Sequence, residues 1–154
     1  MNDFTYTYPV KVYFGKGKMQ EALENELKHV GKTIMLAYGF GSIKRNGIYD
    51  EVVSELKSLG KEIVEFSGIM PNPTYEKVLE GANLAKEKHV DFILAVGGGS
   101  VIDCSKIVAA QAVNDEDIWN MEFNQHEYPN KYLPMAAIVT ASGTGAEMNN
   151  GAVI

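Results

Sequence analysis

The sequence predicts an α/β fold, a parallel sheet with helices on both faces. Three observations carry this. Apolar strand-like runs alternate with amphipathic helical patterns along the whole chain. The runs are almost continuously apolar, as in TIMLAY and FILAV, which suits strands buried on both faces. Three of the runs end in glycine-rich loops, YGFGS (Tyr38 to Ser42), VGGGS (Val96 to Ser100) and TASGTG (Thr140 to Gly145).

The elements follow in order. An extended start runs from Phe4 to Phe14. In GKGKMQEALENELKHVG, Met19, Leu23, Leu27 and Val30 fall on one stripe, which predicts a helix ending near Gly31. TIMLAYGFG is a buried strand running into glycines. Ile43, Ile48, Val52, Leu56 and Leu59 share one face of a single helix that stops at Gly60. EIVEF is a short strand, and SGIMPNPT, with two prolines, a loop. Thr74 to Lys88 is a second amphipathic helix, through Tyr75, Val78, Leu79 and Ala82. DFILAVGGG is the next strand, and Ser100 to Val113 a helix of small and apolar residues, hence well buried. A polar segment, NDEDIWNMEFNQHEYPNKY, separates it from a last strand, LPMAAIVTA, and from SGTGAEMNNGAVI.

KHVGKTIMLAYGFG and KHVDFILAVGGG share one order: helix end, His-Val, apolar strand, glycines. The same αβ unit is used twice, without a true repeat, since the flanking helices do not match. His29 and His89 then sit at helix C-termini, where a cation is favourable. His126 falls in the polar segment as a surface residue. No two histidines stand at the i,i+4 spacing of a helix-borne metal site.

Composition bounds the function. The chain has 154 residues, 45% of them hydrophobic and 22% charged, as expected of one globular domain. A formal net charge of −6 argues against nucleic acid as a partner, although Lys44-Arg45 is a local basic spot suited to a small phosphate. Cys104 is the one cysteine, so no disulfide forms within the chain, in keeping with a reducing, cytoplasmic setting. The opening residues lack a signal-peptide pattern, and no apolar run reaches the roughly 20 residues of a membrane helix.

All three glycine loops are expected on one edge of the sheet, where parallel α/β sheets bind ligands at the carboxyl ends of their strands. Each loop alone also reads as a tight βα turn. The case for phosphate is strongest at Gly97, Gly98, Gly99 and Ser100. Glycine lets the backbone approach a ligand closely, and the following helix directs free N–H groups at it. Ser100 either caps that helix or donates to a phosphate. Asp103 either completes a capping box or accepts hydrogen bonds from a neutral part of the ligand. The loop is neither G-x-G-x-x-G, since Ile102 stands at the last glycine, nor a P-loop. Generic patterns therefore stop at a nucleotide or phosphate ligand.

GGGSVIDCSK followed by SGTGAEM resembles the iron-containing, group III alcohol dehydrogenases. FGKGKMQEALENEL, YGFGSIKRNGIYDEV and MPNPTYEKVLEGANLAKE fit the same family, near its butanol dehydrogenase branch, so the resemblance spans nearly the whole chain. It implies a Rossmann-like, dehydroquinate synthase-like N-terminal domain that binds a dinucleotide. The implied reaction moves a hydride between nicotinamide cofactor and an alcohol or aldehyde. Gly97, Gly98, Gly99 and Ser100 would hold the pyrophosphate, with Asp103 near the nicotinamide end. Thr140, Ser142 and Thr144 would complete the cleft, and Asn72 would face the adenosine side. Related glycerol dehydrogenase and dehydroquinate synthase branches also carry triple-glycine loops, but GGGSVID with SGTGAEM favours the alcohol dehydrogenase branch. A nucleotide-binding module without catalysis is the other alternative.

The loop Gly39, Phe40, Gly41, Ser42 bears on cofactor choice. NAD-selective members tend to carry an acidic residue there to bond the ribose 2′-OH. Phe40 takes that place, and Ser42, Lys44 and Arg45 are near in sequence. NADP(H) is therefore expected over NAD(H); the other reading has Lys44 and Arg45 solvating a helix start. The family's catalytic metal, Fe2+ or Zn2+, is held by an aspartate and three histidines of a helical C-terminal domain. That domain has no counterpart in residues 1–154, so the chain, ending in apolar NGAVI, is expected to be the dinucleotide-binding domain alone. Such a fragment is expected to bind nucleotide weakly and turn nothing over. It would also expose apolar cleft surface, a liability for solubility or a cause of self-association, for instance as a homodimer.

Other residues read structurally. Cys104, between Ile102 and Ile107 on the helix, is expected to be a buried thiol. Lys106 either reaches a phosphate or ties its helix to a neighbouring loop, the second slightly favoured, and Glu147 is expected to stabilise a helical turn. Trp119, Phe123, Tyr128 and Tyr132 are expected to pin the polar segment to the core, or to suit an interface.

Overall fold

The computed structural model describes residues 9–154. Four strands, β1 (Thr33–Tyr38), β2 (Glu62–Phe66), β3 (Phe92–Gly97) and β4 (Met135–Val139), form one sheet in the order β2-β1-β3-β4. All three pairings are parallel, with Ala37 opposite Phe66 on one side and Ala95 on the other, and Ala95 opposite Ala137. The principal helices are α1 (Lys18–Leu27), α2 (Ser42–Arg45), α3 (Ile48–Ser58), α4 (Tyr75–Glu87) and α5 (Gly99–Gln111). A short α6 (Ile118–Asn120) runs into a π-helical turn, Met121–Gln125.

The period of two along β1 divides the core. Ile34, Leu36 and Tyr38 face α1, α2 and α3, where they meet Leu23, Leu27, Ile43, Val52 and Leu56. Met35 and Ala37 face the other way, with Ile93 and Ala95 of β3, onto Val78 and Ala85 of α4 and Ile102, Cys104 and Val108 of α5. This two-sided cover is why β1 and β3 carry no polar alternation; burying each large apolar side chain of this kind contributes about 1.5–3 kcal/mol. Gly81 of α4 lies so close to Phe66 and to Val108 of α5 that a Cβ on it would fall 2.7 Å from the Phe66 ring and 2.8 Å from Val108 Cγ2.

The expected single helix from Ile43 to Leu59 is two helices. Asn46 ends α2, and its Oδ1 accepts the Ile48 N–H at 3.3 Å. Gly47 follows at φ +82, a conformation that no helix interior contains and that glycine adopts without penalty. The apolar stripe runs through the break because both helices bury the same side. The start also differs: Pro9 to Phe14 form no strand, and Phe4 to Tyr8 lie outside the described residues. α4 begins as expected, capped by Thr74, whose Oγ1 accepts the Lys77 N–H.

The polar segment is tied down differently from the expectation. Trp119 (46% exposed), Phe123 (56%), Tyr128 (74%) and Tyr132 are all on the surface, so none is a core pin. A polar hub holds the segment instead. The Tyr75 hydroxyl oxygen lies 2.9 Å from both Gln111 Oε1 and Asp117 Oδ2, which compete for its one proton, and it accepts the Trp119 N–H at 3.1 Å. Gln111 Oε1 also accepts the Ile118 N–H. Burial pushes the Tyr75 phenol up to about 12, so the hub stays protonated.

Candidate functional site

The strand order places the site. From β1 the chain crosses to β2 on one side, then returns past β1 to β3 on the other. At such a reversal two neighbouring strands send their loops apart and leave a crevice at their carboxyl ends. Gly39, which follows β1, and Gly98, which follows β3, flank this crevice. A cavity of about 270 Å³ lies there. Gly39, Phe40, Ser42 and Arg45 line one wall, Gly98, Gly99, Ser100 and Val101 the other, with Ile69 and Pro71 from the loop after β2.

The three glycine loops do meet along this edge. The Gly68 and Ile69 N–H groups donate to the Gly39 and Tyr38 carbonyls, zipping the loop after β2 to the loop after β1. A Cβ on Gly39 would lie 3.2 Å from the Ile69 carbonyl oxygen, so a side chain there would crowd the seam. The third loop closes on the second: the Thr140 N–H donates to the Gly97 carbonyl at 3.0 Å. Thr144 packs on Gly99, where a Cβ would fall 2.5 Å from Thr144 Oγ1.

The head of α5 has a definite polarity. Its N-cap is Gly98, and no side chain caps it. Val101 and Ile102 both donate to the Gly98 carbonyl, while the Gly99 and Ser100 N–H groups have no acceptor among the described residues. Both residues line the cavity. Two unsatisfied N–H donors at the start of a 13-residue helix favour an anion there.

Ser100 therefore lies inside the first turn and is not the cap. Asp103 makes no capping box either: its Oδ2 accepts the Val153 N–H at 3.2 Å, and its Oδ1 lies 3.8 Å from Lys106 Nζ. Lys106 ties the helix to the C-terminal segment, as expected, donating to Asn149 Oδ1 at 3.0 Å and to the Gly151 carbonyl at 2.6 Å. Cys104 is fully buried, and burial pushes its thiol up to about 12. Of the other expected residues, Asn72 is exposed beside Pro71 at φ +53, Gly41 and Gly97 do not line the cavity, and Thr140 and Ser142 are exposed outside it. Ile69, Pro71 and Val101 join the lining unforeseen, because SGIMPNPT looks like any proline-broken loop.

Beside the cavity lies a charged cluster. Glu65, near the end of β2, accepts hydrogen bonds from the Tyr38 and Tyr49 hydroxyls. Those two bonds, the Tyr38 bond first, hold its carboxyl below the usual carboxylate range. Lys44 Nζ stands 3.8 Å from the same carboxylate and 4.4 Å from the centre of the Tyr49 ring. Hydrogen bonding to Glu65 pushes the Tyr49 phenol up to about 12.

The described residues contain no group of three or more His, Cys, Asp or Glu side chains fit to hold a metal ion. A dinucleotide fits better: a glycine-floored crevice with unsatisfied N–H donors, Arg45 in its lining and no lining carboxylate is suited to a pyrophosphate. No helix among the described residues is long and apolar enough to cross a membrane.

Over its whole length the chain is 47% identical to "Probable NADH-dependent butanol dehydrogenase 1" of Bacillus subtilis, of which it covers 39%. It is 39% identical over 156 residues to "NADPH-dependent aldehyde reductase YqhD" of Escherichia coli, covering all of this chain and 39% of that protein. The crystal structure of the NADH-dependent butanol dehydrogenase A of Thermotoga maritima superimposes with a TM-score of 0.89 at 45% identity, covering 100% of this chain and 38% of the other. The chain thus spans about two-fifths of the length of the curated relatives it matches. Residues 9–154 match the family described as "Iron-containing alcohol dehydrogenase", and the chain belongs to that family.

Proposed function

We propose that residues 1–154 are the dinucleotide-binding domain of a cytoplasmic oxidoreductase acting on an alcohol or aldehyde, with NADP(H) favoured over NAD(H). The observation that carries this is the crevice between β1 and β3, where the Gly99 and Ser100 N–H groups lack acceptors. Gly97, Gly98, Gly99 and Ser100 would seat the pyrophosphate, and Gly39, Phe40, Gly41 and Ser42 the adenosine ribose. Asn72 would face the adenosine side, and Thr140, Ser142 and Thr144 would complete the cleft.

When bound, the cofactor supplies or accepts the hydride; this chain's residues hold and orient it. The names of the relatives speak for alcohol or aldehyde substrates: butanol dehydrogenases in Bacillus and Thermotoga, an aldehyde reductase in Escherichia coli. They divide on the cofactor, NADH for the first two and NADPH for the third. The loop after β1 weighs toward NADP(H), because Phe40 stands where a carboxylate would repel the 2′-phosphate and no carboxylate lines the cavity. Fe2+ or Zn2+ would be held by residues outside this chain.

Calorimetric titration of the chain with NADPH, NADH and ADP-ribose tests the reading. We expect all three to bind and NADPH to bind most tightly. Failure of all three to bind overturns the dinucleotide assignment; equal affinity for NADPH and NADH overturns the preference alone. Alcohol oxidation by the 154-residue chain would overturn the assignment of the metal to residues outside it.

A further inference from the structure

Gly99, Asp103 and Lys106 fall at i, i+4 and i+7 of α5, so one face of the helix carries all three. The chain after β4 folds back along that face. Thr144 seats on Gly99, where a Cβ would fall 2.5 Å from its Oγ1. Further along the helix, Lys106 Nζ donates to Asn149 Oδ1 and to the Gly151 carbonyl, while Asp103 Oδ2 accepts the Val153 N–H. Among the described residues, the hydrogen bonds that join 149–153 to α5 end on these two side chains. Asn149 carries the tie back toward the cleft. Its Nδ2 donates at 2.9 Å to the carbonyl of Gly145, the neighbour of Thr144, and its Oδ1 also accepts the Gly151 N–H. Residues 141–144 are themselves exposed. The Lys106 side chain is only 16% exposed, that of Asp103 14%, and neither lines the cavity. Burial lowers the Lys106 pKa, against the pull of the Asp103 and Glu147 carboxylates. Desolvating an ammonium is costly, and here its donors are directed at the folded-back segment.

Resting on the dinucleotide reading above, we infer that Lys106 is a positioning residue for the cofactor: by holding Asn149 and Gly151 on the helix face it shares with Gly99, it keeps Thr144 seated on Gly99 and so fixes the wall beside the free N–H groups of α5. It acts through Asn149 and Gly145, not by contact with the crevice. Hydrogen bonds to an anion strengthen where water is kept away. A wall that swings clear of Gly99 therefore weakens whatever the Gly99 and Ser100 N–H groups hold, whichever dinucleotide it is.

The test compares the wild-type chain with Lys106→Met, Lys106→Arg, Asn149→Ala and the Lys106→Met, Asn149→Ala double variant. Calorimetry with NADPH and NADH reads affinity, and amide hydrogen exchange followed by mass spectrometry reads the segment. Lys106→Met should speed exchange in peptides covering residues 144–153 and leave those of β1 and β3 as in wild type. It should weaken both dinucleotides by about 5- to 10-fold, one net hydrogen bond's worth. Lys106→Arg keeps the charge and the donors and should recover part of the affinity. Asn149→Ala should weaken both dinucleotides too, and the double variant should bind no more weakly than Lys106→Met, because the two residues act in one chain of contacts. The inference is overturned if Lys106→Met frees the segment but leaves both affinities unchanged, if exchange rises equally in β1 and β3, or if the two losses add in full. Should Lys106→Met fail to fold, Asn149→Ala, at an exposed position, decides: unchanged affinity there overturns the inference. Any of these results in a wild type that binds dinucleotide leaves the dinucleotide reading standing; a wild type that binds neither NADPH nor NADH overturns both.

Discussion

Gly99→Ala tests whether the third glycine loop belongs to the binding site. The new Cβ would lie 2.5 Å from Thr144 Oγ1, 3.2 Å from its Cγ2 and 3.3 Å from its Cβ. The first distance is about 1 Å short of an ordinary contact of ~3.5 Å. Rotating Thr144 gives no relief, because its Cγ2 and Cβ are also within reach, and rotation would break the bond from the Ala146 N–H to Oγ1. Held rigid, such an overlap costs about 1–3 kcal/mol. Residues 141–144 are exposed, so the loop gives way instead. Alanine recovers up to about 1 kcal/mol over glycine in a helix, which offsets part of the strain. The net change in stability should stay within about 1 kcal/mol, or ~2–4 °C in Tm for a chain of this size. Dinucleotide affinity should fall about tenfold or more, since a backed-off wall forfeits at least one net hydrogen bond's worth of contact. Thermal melting followed by circular dichroism, paired with NADPH calorimetry, reads both quantities. Gly99→Ala with Thr144→Gly removes the collision and should restore part of the affinity. Unchanged NADPH affinity in the single variant, or a double variant as weak as the single, would refute the role of this loop.

Two further predictions concern the frame around the site. His89 stands in the left-handed region, φ +51, just past α4, where its N–H donates to the Lys86 carbonyl and the Val90 N–H to the Ala85 carbonyl. A side chain there costs about 1 kcal/mol that glycine avoids, so His89→Gly should raise Tm by ~2–4 °C; a lower Tm would show that the imidazole has a stabilising partner in solution. Glu65 is held below its ordinary range in the folded chain. It therefore stabilises the fold above its unfolded value of about 4.3, and that contribution is lost as pH falls through the folded value. Because its side chain is 45% exposed, the effect is small, below about 1 kcal/mol. Urea unfolding should show wild type above Glu65→Gln from pH 5 to 7, with the gap closing below about pH 4; a gap that is constant with pH would remove Glu65 from the acid response.

The sheet was legible because its physics is local in sequence. A strand covered on both faces needs an apolar residue at nearly every position, and TIMLAY and FILAV supply one. The helix break was less legible although its residues are plain. Asn46-Gly47 is a strong turn signal, but the stripe of Ile43, Ile48, Val52 and Leu56 continues across it, since α2 and α3 cover the same face of the sheet. Periodicity outweighed punctuation, and the left-handed Gly47 shows that punctuation governs the backbone. The aromatic residues misled for a related reason. Trp119 and Phe123 are apolar enough for a core, yet Tyr75, Gln111 and Asp117 already fix the segment through hydrogen bonds, and the rings stack on one another at the surface.

The site divides along the same line. Glycine positions could be read from sequence because three strands end in them and a parallel sheet brings those ends to one edge. Which charged side chain faces the crevice could not. Lys44 and Arg45 are neighbours of like charge on α2, and one helical step of about 100° separates their directions. Glu65 decides between them. It comes from a strand that is distant in sequence but paired with β1, with Glu65 opposite Leu36, and this brings its carboxylate within reach of Tyr38 and Lys44. Sheet register thus assigns Lys44 to the frame, while Arg45 lines the cavity. The charge beside the crevice therefore depends on β2 as much as on the glycine loop: exchanging Glu65 for a neutral residue removes the partner of Lys44 without touching any residue that lines the cavity.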